Sequence, residues 1–194
     1  MPQKTNESNK VTYVLIVTGV LLIVAAIALI ILQGIRQRDA VESSSQIVSK
    51  MYELMPEIKI GSSDDRVNMS MPVLEIDGED FAGIIEIPLY NAELPISADG
   101  GSDQSYRVVG SLYDGSLVIG GASHAGQFDF MKSITETDEV FITDVMGYRF
   151  AFEVSEIIVS DEISPEGLAD DTADLVLFAK DAYSSKYTIV KCKR

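Results

Sequence analysis

The chain contains one histidine and one cysteine, and those two side chains set the first chemical question. A cysteine thiolate partnered by an imidazole attacks acyl carbons, which would make Cys192 the nucleophile and His124 its base. Their surroundings favour plainer roles. Cys192 sits inside the apolar strand pattern Tyr187 to Cys192, where a lone cysteine packs as a small core residue. His124 lies in Gly120-Gly121-Ala122-Ser123-His124-Ala125-Gly126, a glycine-rich stretch in which an exposed loop histidine is the simpler reading. Ser123 lacks the glycine-flanked elbow of a serine hydrolase. The glycines lack the spacing and the lysine of a phosphate-cradling loop. Lys180 ends an apolar run and reads as a strand-end lysine reaching solvent. Too few cysteines and histidines are present for a zinc centre. Asp161-Glu162 and Asp170-Asp171 lack the calcium-loop pattern and read as solvated loops. Neither a metal nor a cofactor is expected.

The elements that must carry these residues follow from composition. With 194 residues and 21.1 kDa, the chain suits one domain and an appendage. Thirty acidic against 15 basic residues give a net charge of −15, which excludes a nucleic-acid binder because phosphate contacts need a basic surface. An apolar content of 46% excludes disorder throughout.

The greasiness and the acidity occupy different places. Val11 to Leu32 reads VTYVLIVTGVLLIVAAIALIIL, with no charge between Lys10 and Arg36. As a helix it would span about 33 Å, enough for a hydrocarbon core of about 30 Å. A cleaved signal peptide has a shorter apolar core. The expected organisation is a tail at 1–10, one transmembrane anchor at 11–34, a juxtamembrane helix and linker at 35–71, and a domain at 72–194. Lys4 and Lys10 on one side nearly balance Arg36 and Arg38 on the other, so charge leaves orientation open.

In the linker, Val41, Ile47, Val48, Met51, Leu54 and Met55 fall on one helical stripe. Beyond Pro72 the period becomes alternating. Strands are expected at Val73 to Asp77, Gly83 to Pro88, Ser116 to Ile119, Asp174 to Ala179 and Tyr187 to Cys192. A hairpin from Val140 to Ile158 turns near Asp144-Val145-Met146-Gly147. It puts Tyr148, Phe150, Phe152 and Val154 on one face. Ser97 to Ser105 reads as a loop, and a short helix fits Phe128 to Ile134. Many short strands favour a mainly β closed barrel or a sandwich.

Several segments, in order, resemble the sortases, membrane-anchored cysteine transpeptidases of Gram-positive bacteria, and most of all their class B-like clostridial group. Gly83-Ile84-Ile85-Glu86-Ile87-Pro88 with Leu94-Pro95-Ile96 is similar to the family's opening strands. Gly110-Ser111-Leu112 and Leu117-Val118-Ile119 are similar to the approach to its histidine. Phe128, Thr137-Asp138-Glu139-Val140 and Asp144-Val145-Met146-Gly147-Tyr148-Arg149-Phe150 follow. Asp174-Leu175-Val176-Leu177-Phe178-Ala179-Lys180 and Val190-Lys191-Cys192-Lys193-Arg194 resemble an ending that reads D-L-T-L-F-T-C and V-R-C-x-R.

The resemblance implies a closed barrel of about eight strands with short helices behind one transmembrane helix. It also implies a single-pass cell-membrane protein with its C-terminal domain extracytoplasmic. The family works through a thiolate, a histidine and an oxyanion-holding arginine. Its histidine position falls on Ala122, its nucleophile on Lys180, and its arginine on Tyr187 or, one residue off, Lys186. The implied function is a non-catalytic sortase-like protein that binds a sorting-signal peptide, a surface protein or a sortase partner. The alternative is an active transpeptidase or peptidase with rearranged residues, using Cys192 or Lys180 with His124.

Overall fold

The computed structural model describes residues 5–61, 70–98, 100, 105–114, 117–123, 127–169, 172–181 and 184–194. The chain forms two units, Met1–Asp39 and Ala40–Arg194.

The described residues begin with the helix α1 (Thr5–Leu54). No proline interrupts residues 5–54, and Pro56 stands just past its end, where the ring disfavours a helical predecessor. In the first unit the described apolar side chains, Leu15, Leu21, Leu22 and Leu29 among them, are exposed. Among the described residues no helix is long and apolar enough to cross a membrane. The anchor expected at 11–34 includes side chains at 11, 12, 14 and 30–34 that lie outside those described.

The second unit begins with the last turns of α1. Val48, Met51 and Met55 are buried against Ile76, Phe81, Ile84 and Val145. Leu54, expected on the same stripe, is instead exposed, because the buried line follows Val48, Met51 and Met55 and Leu54 stands about 100° to one side of Met55. Polar contacts secure this end of the helix. Lys50 Nζ lies 2.5 Å from Asp77 Oδ2. The Tyr52 hydroxyl is shared between Glu93 Oε1 at 2.5 Å and Glu86 Oε1 at 2.9 Å. Burial, and then these two carboxylates, push the Tyr52 phenol well above its ordinary range. Glu86 in turn pairs with Arg149 at 2.5 Å, whose guanidinium lies 4.4 Å from the Phe141 ring centroid.

Among the described residues ten strands follow: β1 (Lys59–Ile60), β2 (Leu74–Ile76), β3 (Glu79–Ile87), β4 (Ala92–Ser97), β5 (Ser105–Val109), β6 (Leu117–Ser123), β7 (Glu139–Asp144), β8 (Tyr148–Ser160), β9 (Leu175–Asp181) and β10 (Tyr187–Lys193). Hydrogen-bonded neighbours run β8-β10-β9-β6-β5-β4-β3, and β7 pairs with both β3 and β8. The eight strands β3 to β10 therefore close into a barrel, with β1 and β2 attached at its margins. Closure removes the free edges an open sheet would present.

The interior holds Ile85, Ile87, Leu117, Ile119, Ile142, Phe150, Phe152, Leu177 and Val190, all buried. The expected hairpin is β7–β8, with Phe150, Phe152 and Val154 turned inward and Ala151 and Glu153 exposed. Short 3₁₀ helices occupy Pro88–Tyr90, Phe128–Lys132 and Pro165–Leu168. The second is the short helix expected there. Arg194 closes the last strand: its N–H donates to Asp174 Oδ2 at 2.9 Å. Its guanidinium lies 4.9 Å and 5.3 Å from the Phe150 and Phe152 ring centroids.

Asp138 fixes the turn into β7. Its carboxylate accepts from the Thr135 N–H at 2.8 Å, the Thr135 hydroxyl at 3.0 Å and the Tyr90 hydroxyl at 2.8 Å. Burial alone would raise its pKa, but these donors outweigh it and hold the carboxyl below its usual range. Its stabilising contribution is then complete above the unfolded pKa of about 3.9 and is lost as pH falls through the folded value. Asp138→Asn is expected to cost about 1–2 kcal/mol at pH 7. Thermal unfolding across pH should show the gap to wild type closing in acid.

Candidate functional site

The positions given by motif to the sortase histidine, nucleophile and arginine meet in three adjacent strands. Ala122 of β6 is the direct partner of Lys180 of β9, which is the direct partner of Tyr187 of β10. At about 4.8 Å between strands, the row is about 10 Å long. Alternation places it on the same face as Val118, Val176, Phe178 and Ile189, the outer face of the barrel wall. The segment between β8 and β9 covers part of that face with Ile163, Leu168 and Ala169.

Each member of the row has a defined setting. Ala122 offers only a methyl group. Lys180 is exposed, with Nζ 5.9 Å from the centroid of the half-buried Tyr187 ring. Tyr106 of β5 approaches from the other side, pairing with Gly120 and meeting Phe178 edge-on at 6.3 Å between centroids. A Cβ on Gly120 would stand 2.5 Å from Phe178 Cζ and 2.8 Å from Tyr106 Cζ. Glycine therefore lets the two rings settle on the strand and form an aromatic floor. Burial, and then the nearby Tyr187 phenol, raise the pKa of Tyr106.

The row contains donors and apolar surface. It supplies no thiol to attack a carbonyl, no imidazole to relay a proton and no guanidinium to hold an oxyanion.

Cys192 stands apart from it. It pairs with Leu175 and Val154, five residues along β9 from Lys180, or about 16 Å. Its side chain faces the barrel interior and is fully buried. Burial pushes its thiol up to about 12. His124 and the pair Asp170-Asp171 lie outside the described residues, and Asp161-Glu162 is exposed. Among the described residues no group of three or more His, Cys, Asp and Glu side chains is placed to hold a metal ion.

Two parts of this region escape the sequence reading. Tyr106 was missed because β5 was not expected. A register shift between Arg107 and Val109 breaks the alternation that would reveal the strand, leaving only the β-favouring Tyr-Arg-Val-Val run as a signal. The Tyr52–Glu86–Glu93 contact joins residues far apart in sequence and has no local signature.

Comparison with known proteins places the architecture. No family model matches the chain, and no curated protein matches it. Solved structures do. The Clostridium perfringens sortase C structure with its C-terminal cell wall sorting motif aligns with TM-score 0.51 at 20% identity, covering 60% of this chain and 71% of that one. The complex of Streptococcus agalactiae sortase C1 with MTSET aligns with TM-score 0.51 at 21% identity, over 59% and 68%. A lid mutant of the same enzyme aligns with TM-score 0.50 at 23% identity, over 62% and 70%. The class B-like clostridial group is not among these three. The closed eight-stranded barrel of this chain is a sortase-like fold.

Proposed function

We propose that the chain is a membrane-anchored, extracytoplasmic sortase-like protein that binds a peptide or surface protein without transpeptidation. The observation that carries this reading is the row Ala122–Lys180–Tyr187. It lies across three adjacent strands at the positions that the motif match assigns to the sortase triad. A chain without a triad loses several orders of magnitude in rate while keeping its surface for binding. That the Clostridium perfringens sortase C was solved with a sorting motif supports a peptide as the partner. The exposed apolar side chains along α1 between Tyr13 and Leu29, and the uncharged run from Val11 to Leu32, support an anchor. The net charge of −16 beyond that run, from 13 basic and 29 acidic residues, leaves the domain without general attraction to an anionic lipid surface.

The test is turnover. Full-length chain in detergent, incubated with a fluorogenic sorting-signal peptide and an amine acceptor, is expected to give no cleavage or transfer above the protein-free rate. Turnover above that rate, abolished by Cys192→Ala or His124→Ala, would establish the rearranged enzyme instead.

A further inference from the structure

We propose that the outer face at Lys180 binds a peptide through a carboxylate, with the aromatic floor taking the apolar side chain beside it. The assignment rests on the peptide-binding reading above and specifies its chemistry.

Three donors share this face, and among the described residues none of them has an acceptor from the chain. Among the described residues, Lys180 forms no ion pair, and its one ring contact is the Tyr187 face at 5.9 Å. The Tyr106 and Tyr187 hydroxyls likewise have no hydrogen-bond partner there. Both rings pack on the outer-face cluster built on Phe178. The chain carries 30 acidic residues, and among the described residues none of them pairs with Lys180, so its ammonium is left to take an acidic group from outside. One ammonium and two O–H groups match a single carboxylate, which accepts several hydrogen bonds at once. The floor is apolar: Gly120 and Phe178 are buried beneath it, and the half-buried Tyr106 and Tyr187 rings with the Ala122 methyl leave apolar surface beside Lys180. Such a surface gives little to a bare inorganic anion and suits an extended chain with one acidic group and an apolar neighbour. That carboxylate can be a chain terminus or an aspartate side chain, and the chemistry at Lys180 is shared by both.

The experiment uses the full-length chain in detergent and N-terminally fluorescein-labelled hexapeptides with degenerate apolar positions. They are made as three pools: free acid, C-terminal amide, and C-terminal amide with aspartate at the last position. By fluorescence anisotropy, at least one carboxylate-bearing pool is expected to bind about tenfold tighter than the neutral amide pool. Lys180→Met should abolish that preference, and Lys180→Arg should retain it. Raising the salt should shrink it. Preference for the free-acid pool alone identifies a chain terminus, and preference for the aspartate pool alone identifies a side chain. Equal binding of all pools, or a preference that survives Lys180→Met, would overturn the carboxylate assignment and leave peptide binding intact. Failure of every pool to bind would overturn both readings.

Discussion

At pH 7.4, Cys192 in the folded chain is expected to react with iodoacetamide at least about a thousandfold more slowly than the same residue in urea. Only the thiolate is alkylated. With the thiol pushed up to about 12 by burial, its ionised fraction at this pH is about 3 × 10⁻⁵. A free thiol near 8.5 is about 7% ionised. Ionisation alone therefore gives roughly a three-thousandfold difference, and the packing of Leu175, Leu177 and Val190 around it excludes the reagent further. The rate is read by mass spectrometry of timed, quenched samples, and full labelling in urea confirms that the residue is intact. Labelling at a free-thiol rate in the folded protein would restore Cys192 as a candidate nucleophile.

The second large effect concerns closure of the barrel. Gly83→Ala is expected to destabilise the β domain by about 3 kcal/mol or more, lowering its thermal midpoint by about 6–12 °C. Gly83 pairs on one side with Ile96 of β4 and on the other with Asp144 of β7. A Cβ there would lie 2.4 Å from the Thr143 carbonyl oxygen and 3.3 Å from the Asp144 Cα. Both obstacles are backbone, so no side chain can rotate away. β3 and β7 must separate, and that pairing is one of the links in the ring. Asp144 cannot move freely either, since its fully buried carboxylate accepts N–H bonds from Met146 at 3.0 Å and Tyr148 at 2.8 Å, and a hydroxyl bond from Tyr113. A midpoint within 2 °C of wild type would show that the seam yields at little cost.

How far the sequence reveals all this depends on how local each signal is. The β7–β8 hairpin was readable because Phe150, Phe152 and Val154 alternate cleanly around a short turn. β9 and β10 were readable as apolar runs with β-favouring residues. β4 was legible only through Leu94-Pro95-Ile96, since Pro95 lacks the N–H a strand normally offers. The proline is accommodated because β5 joins β4 only from Ile96 onward. The bulged β5 gave no usable period, and Tyr106 was lost with it. The candidate site shows the same division. Ala122, Lys180 and Tyr187 could be named one by one from motifs. Their direct pairing depends on a parallel β6–β9 contact between strands more than 50 residues apart, and such contacts leave no mark on the residues around them.

The position of β10 has a consequence for how the molecule is made. The strand that comes last in chain order is inserted between β8 and β9, and Arg194 clamps it there. During synthesis β8 and β9 are both complete while each still lacks its neighbour, so two apolar ribbons wait with open hydrogen-bonding edges. The wall that carries Lys180 can therefore be completed only once β10 has been made, which places its non-local pairings late in folding.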